Sequence, residues 1–182
     1  MALTSTIYNV SVDLSDVDRS VYESFTLRLA MHPSETMEYM VTRVLAYCLE
    51  YREGIEMTAG LSDGDEPAIV ARDLTGKVTA WIEVGMPDAD RLHRASKLAD
   101  SVAVYPHRDV RILLGQLEGK RIHRAEEIPI YTFGAAFIKE LAERFERRVA
   151  LSLSITERHL YLDIGGASMT TVIEERRVSS AL

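Results

Sequence analysis

Polar and apolar residues alternate from Thr4 to Leu14, with Ile7, Tyr8, Val10, Val12 and Leu14 as the apolar members. They alternate again through Phe25, Leu27, Leu29 and Met31, separated by Thr26, Arg28 and Ala30. A period of two predicts half-buried strands, and the turn residues from Ser15 to Asp18 predict an antiparallel hairpin. Then the period lengthens. Met37, Met40, Val41, Val44, Leu45 and Cys48 recur at three- and four-residue steps. That spacing predicts a helix ending near Arg52, before Gly54, with Ser34 as N-cap and Glu35 in the first turn. Glu38, Thr42, Arg43 and Glu50 fall off its buried face.

The middle of the chain carries the most informative pattern. Ile55 to Leu61 suggests a short strand. An acidic turn follows, Ser62-Asp63-Gly64-Asp65-Glu66-Pro67, then strands from Ala68 to Leu74 and from Lys77 to Val84 joined at Thr75-Gly76. A second helix starts from Asp88 as N-cap. It turns Leu92, Ala95, Leu98, Ala99 and Val102 inward and Asp90, Arg91, Arg94 and Lys97 outward. Val102 to Tyr105 is apolar throughout, as in a strand buried on both faces. Beyond it the pattern predicts a helix over Val110 to Leu117, a strand over Ile128 to Phe133, and a helix over Ala135 to Arg148. Phe137, Ile138, Leu141 and Phe145 face inward in that helix. Three closing segments, Val149 to Ile155, His159 to Ile164 and Ser168 to Ile173, form a β meander. The tail from Glu174 onward is charged and is expected to fray. The plan is α+β, a mixed sheet flanked by helices with an N-terminal hairpin and the C-terminal meander, in one domain over residues 1–182.

Composition narrows the function classes. The chain of 182 residues is 47% hydrophobic and 27% charged, which suits a folded domain rather than a disordered one. A formal charge of −7 argues against non-specific coating of nucleic acid but allows a local basic groove. The single cysteine, Cys48, excludes an intramolecular disulfide framework and a cysteine-rich zinc site. It sits at a core spacing and reads as a small buried hydrophobe. No signal peptide or spanning segment is seen, so a cytoplasmic monomer without a membrane partner is expected.

Chemistry concentrates on the middle hairpin. Strand alternation puts Trp81, Glu83 and Gly85 on one face of the Lys77–Gly85 segment, with Ala80, Ile82 and Val84 on the other. A carboxylate in or beside the core needs a partner or a metal. Asp65 or Glu66, at the start of the preceding strand, can approach Glu83 across a sheet spacing of about 4.8 Å. Such oxygen ligands suit Mg²⁺ or Mn²⁺ and phosphodiester chemistry.

The order helix, three strands, helix, strand, with an acid beside a proline before one strand and an acid inside the next, resembles the PD-(D/E)xK restriction-endonuclease-like core. More closely, His32-Pro33-Ser34-Glu35, Asp65-Glu66-Pro67 and Trp81-Ile82-Glu83-Val84-Gly85-Met86-Pro87-Asp88 resemble the YaeQ family of bacterial proteins, over nearly the whole chain. That resemblance implies a variant nuclease-like fold in a family without an established activity. It casts Glu83 as the strand acid, Asp65 or Glu66 as the proline-flanked acid and Glu35 or Glu38 as the helix acid. The pattern's lysine would fall at Gly85, which has no side chain. Arg94 or Lys97, three apart on one helix face, is the substitute cation.

Each of these residues has a plainer role beside the chemical one. Glu83 can pair with Arg43, Arg72 or Lys77. Asp63, Asp65 and Glu66 suit a turn, and Arg94 and Lys97 suit a solvated face. His32 suits a helix entry. His93, His107, His123 and His159 lack zinc spacing. No nucleophile elbow or phosphate loop occurs. Lys120-Arg121-Ile122-His123-Arg124 and Arg144-Phe145-Glu146-Arg147-Arg148 are basic clusters that suit either solvent or a nucleic-acid groove. Two readings stay open: a metal-dependent phosphodiesterase acting on nucleic acid, and a non-catalytic nuclease-like fold that binds or regulates.

Overall fold

The computed structural model describes residues 4–59 and 65–181. Asp63, part of the predicted acidic turn, lies outside them, as do residues 60 and 61 of the predicted short strand. The first half contains β1 (Thr6–Asp16), β2 (Val21–Met31), α1 (Met37–Leu49), β3 (Ile55–Met57), β4 (Ile69–Arg72) and β5 (Val78–Val84). The second contains α2 (Ala89–Leu98), β6 (Ser101–Tyr105), α3 (Val110–Leu117), β7 (Pro129–Thr132), α4 (Ala135–Arg144), β8 (Arg148–Thr156), β9 (His159–Ile164), β10 (Ala167–Val172) and β11 (Glu174–Arg177). Among the described residues no helix is long and apolar enough to cross a membrane.

The elements divide between two compact units, Met1–Val41 with Phe133–Glu174, and Thr42–Thr132 with Glu175–Leu182. The first unit is a five-stranded sheet in the order β10-β9-β8-β1-β2. Its hairpin β1–β2 and its meander β8–β9–β10 are antiparallel, and β1 joins them by pairing parallel with β8. Alternation decides what is buried. Val10, Val12 and Leu14 of β1 share the buried side with Leu151, Leu153 and Ile155 of β8, while Ser11 and Asp13 face outward. Helix α4 lies against β10 with Phe137 and Leu141 buried.

The second unit is a six-stranded sheet in the order β11-β7-β6-β5-β4-β3. Strands β5, β6 and β7 run parallel, and β3 and β4 join antiparallel beside them. Helices α2 and α3 contribute Leu92, Ala95, Leu113 and Leu117 to a core with Trp81, Val102, Val104 and Ile130. The predicted burial of Val102 to Tyr105 on both faces is observed. Cys48 is fully buried, and desolvation pushes its thiol up to about 12, which fits a packing role. Gly54, after α1, has φ +78, and a Cβ there would meet the Arg72 carbonyl oxygen at 2.0 Å. Only glycine fits that turn.

Four expectations are corrected. Thr36, not Ser34, caps α1: its hydroxyl accepts from Tyr39 N at 3.1 Å, whereas Ser34 bonds the His32 ring. Helix α1 is not one-sided, because Thr42 and Arg43, with Glu50 just past its end, are buried as well as its apolar residues. Glu50 and one nitrogen of Arg43 find partners inside the fold. Tyr105 Oη donates to Glu50 Oε1 and Arg52 to Glu50 Oε2, each at 2.7 Å, and Arg43 donates to the Thr58 carbonyl. The tail does not fray: β11 extends the six-stranded sheet, and Val178 is buried in the second core with its N–H on the Ile128 carbonyl. Helix α4 also stops at Arg144, because β8 begins at Arg148.

Candidate functional site at the end of strand β5

Only three residues, Gly85 to Pro87, separate β5 from the N-cap of α2. So short a link holds the first turn of the helix over the end of the strand. Asp88 caps it, its Oδ1 accepting from Arg91 N at 2.8 Å. Arg91 therefore does not face outward as its helical position predicts. It folds back onto Glu83, with Arg91 Nε donating to Glu83 Oε1 at 2.5 Å. Its Nη2 reaches the Glu66 carbonyl at 2.6 Å, and its Cζ lies 5.9 Å from the centre of the Trp81 ring. A guanidinium fork serves two oxygens and a ring face at once, which an ammonium does not do.

Trp81 and Glu83 share one face of β5, as alternation predicts, and Trp81 Nε1 donates to Glu83 Oε1 at 2.6 Å. Both donors converge on that one oxygen; Oε2 receives neither. Glu83 is 5% exposed, and burial raises its carboxyl above the ordinary 4.5 despite the opposing pull of Trp81 and Arg91. The nearby Asp88 charge raises it further. Desolvation outweighs the charge-assisted bonds here.

The plainer partners anticipated for Glu83 are engaged elsewhere. Lys77 pairs with Asp100 at 2.7 Å, Arg72 donates to the Gly76 carbonyl, and Arg43 donates to the Thr58 carbonyl. The remaining candidates are placed as follows. Asp65 and Glu66 are exposed, and Glu66 meets the site through its carbonyl rather than its carboxylate. Glu35 belongs to the first unit and is buried, its Oε2 accepting from His32 N at 3.3 Å; Glu38 is exposed in the first turn of α1. Arg94 and Lys97 are exposed on α2. Gly85 has φ +124, a conformation L residues rarely adopt, so a lysine is disfavoured there by backbone as well as by sequence. Among the described residues no three His, Cys, Asp or Glu side chains are arranged to hold a metal ion.

A second cluster forms on the same helix. His123 N donates to His93 Nδ1 at 3.1 Å, with the two rings 6.4 Å apart and edge to face. Arg124, in the left-handed region at φ 50, turns its guanidinium onto the carbonyls at the end of α2, those of Ser96, Ala99 and Asp100. These contacts pin the Lys120–Arg124 stretch to α2.

The family profile described as "YaeQ protein" matches residues 1–173. The chain belongs to the YaeQ family. An uncharacterized YaeQ protein of Salmonella typhi is 33% identical over 164 residues, covering 89% of this chain and 90% of its own. The crystal structure of YaeQ protein from Pseudomonas syringae superposes with a TM-score of 0.83 at 32% identity, covering 94% of this chain and 95% of that one. The YaeQ protein from Xanthomonas axonopodis pv. citri gives 0.86 at 27% identity, covering 95% and 98%. The mixed α+β fold described above is thus a YaeQ fold.

Arg91 and Trp81 were not singled out by sequence reasoning as partners of Glu83. The signal available was the three-residue link after β5, which fixes the first helical turn above the strand end. The helical wheel alone points Arg91 to solvent.

Proposed function

We propose that this YaeQ-family chain is a binding module that engages the phosphate backbone of nucleic acid through the exposed face of α2 and the Lys120–Arg124 stretch, without hydrolysing it. The observation that carries this reading is the joining of two basic runs far apart in sequence, through His93, His123 and Arg124. Arg94, Lys97, Lys120 and Arg121 are exposed there and hold no ion pair among the described residues. Four exposed cations on two segments joined in this way suit phosphate contacts. The strand order β4-β5-β6-β7 supports the likeness to a nuclease core. Glu83 argues against hydrolysis, because a guanidinium occupies the flank of Oε1 where a divalent cation would be repelled.

Fluorescence anisotropy with a labelled DNA or RNA oligonucleotide tests the binding. Each of Arg94→Ala, Lys97→Ala and Arg121→Ala should make the slope of log affinity against log salt shallower by about 1. No binding at low salt, or slopes unmoved by all three substitutions, overturns it.

One observation favours the other reading, a Mg²⁺- or Mn²⁺-dependent phosphodiesterase: Glu83 Oε2 takes no part in the bonds to Trp81 and Arg91. The present donor set does not fit such an ion while Arg91 holds Oε1. Calorimetric titration with Mn²⁺ decides between them. The binding-module reading expects no saturable heat that Glu83→Ala abolishes. Binding lost in Glu83→Ala and strengthened in Arg91→Ala would establish the metal site instead.

A further inference from the structure

The outward face of the first unit's sheet is unlike an ordinary solvated face. Register places Tyr22, Ser15, Ser154 and Tyr161 in one row across β2, β1, β8 and β9. The adjacent row is Ser24, Asp13, Ser152 and Asp163. The first row has a tyrosine at each end, 60% and 51% exposed, with two serines between. Three strand spacings separate the rings, about 14 Å. Short side chains between tall ones make a trough, and a cavity of about 370 Å³ opens at its Tyr22 end against Ser15, Ser154, Ser24, Ser152 and Asp13, with Tyr161 and Asp163 beyond that lining. That volume lies within the range of small-molecule sites.

The second row is set up to accept hydrogen bonds. Ser24 Oγ donates to Asp13 Oδ1 at 2.6 Å, and Ser168 Oγ donates to Asp163 Oδ1 at 2.5 Å. The Oδ2 atom of each aspartate takes no part in those bonds. The remaining serines add hydroxyls that donate or accept. Tyrosine presents an apolar ring face and a polar tip on a side chain with little entropy to lose.

From this geometry we infer that the trough binds a neutral saccharide of two or three rings. Charge complementarity selects the occupant. The cavity lining includes the Asp13 side chain on the outward face and no Lys, Arg or His. An anionic ligand, nucleic acid included, is repelled. A protein interface core would be apolar and aromatic, whereas this floor is serine. A sugar has what the rows complement: hydroxyl donors for Asp13 and Asp163, mixed partners for the serines, and a C–H face for a tyrosine ring. The site is independent of the basic face on α2.

The test is an amide NMR titration of the full chain with maltotriose, cellotriose and mannotriose, each separately at millimolar concentration. At least one should give saturable shifts confined to residues 11–15, 22–26, 150–154 and 161–163. Tyr22→Ala should weaken that binding about three- to tenfold, and Ser154→Leu, which fills the floor, should abolish it. Both positions lie on the exposed face, and an unchanged spectrum elsewhere verifies the fold. The proposal is overturned if none of the three sugars shifts these amides, or if the shifts rise without saturating. It is equally overturned if the same amides respond only to dilution of the protein, because the face is then a contact between copies.

Discussion

Arg91→Ala is expected to lower the free energy of unfolding by about 3 kcal/mol, the scale for stripping a buried charge of its partner. The substitution removes the donor at 2.5 Å from Glu83 Oε1 and the tie to the Glu66 carbonyl together. Trp81 Nε1 alone then supports the carboxylate. The pH dependence has a definite sign. Burial holds the Glu83 carboxyl above 4.5, so between that value and its folded-state pKa the native state binds more protons than the unfolded chain. Stability contributed by this group is therefore present at low pH and is lost as pH rises through that window. Arg91→Ala extends the window upward and steepens the loss. Glu83→Gln removes it, while Trp81 and Arg91 keep an acceptor. Urea unfolding at a series of pH values measures all three proteins. If Arg91→Ala tracks the parent at every pH, the guanidinium is not what holds Glu83.

The second large effect is at Arg124. Its guanidinium satisfies the Ser96, Ala99 and Asp100 carbonyls, the acceptors a helix end leaves open. Removing it in Arg124→Ala should cost about 2 kcal/mol, as several charge-assisted bonds are lost while part of the group's surface was already wet. The backbone at φ 50 adds a discriminating comparison. Arg124→Gly loses the same bonds but relieves the left-handed strain, so it should be less damaging than alanine by up to about 1 kcal/mol. Arg124→Lys should recover little, because an ammonium cannot fork across three carbonyls. A lysine variant as stable as the parent would contradict the capping role. The alanine variant should also weaken oligonucleotide binding, since it frees the Lys120–Arg124 stretch from α2.

Much of the secondary structure was legible because local periodicity reports burial. The alternations at Val10–Leu14 and Leu151–Ile155 and the three-four spacing around Leu92 and Ala95 each correspond to an observed element. The tail does not show in the pattern because charge dominates Glu174–Arg177, and neither the backbone pairing of β11 nor the burial of Val178 leaves a local period. Arg43, Thr42 and Glu50 were misread because a helical wheel sorts by polarity, and a polar side chain can enter the core once partners are present there. Those partners for Glu50 are Tyr105, from β6, and Arg52, in the segment just past α1. The candidate site was half visible. Glu83 on the inward face beside Trp81 follows from strand geometry, but the cation that meets it does not follow from spacing.

What the chain's sequence determined by itself was therefore the family, the order of elements as far as β10 and the presence of a buried acid at the end of β5, since each depends on neighbours a few residues away. The tertiary structure alone decided that β1 pairs with β8, that Arg91 turns inward to close on Glu83, and that two distant basic runs meet at His93 and His123. Those outcomes depend on which backbone and side-chain groups remain without partners once the elements pack. That is a property of the assembled sheet and helices, and no window of sequence carries it.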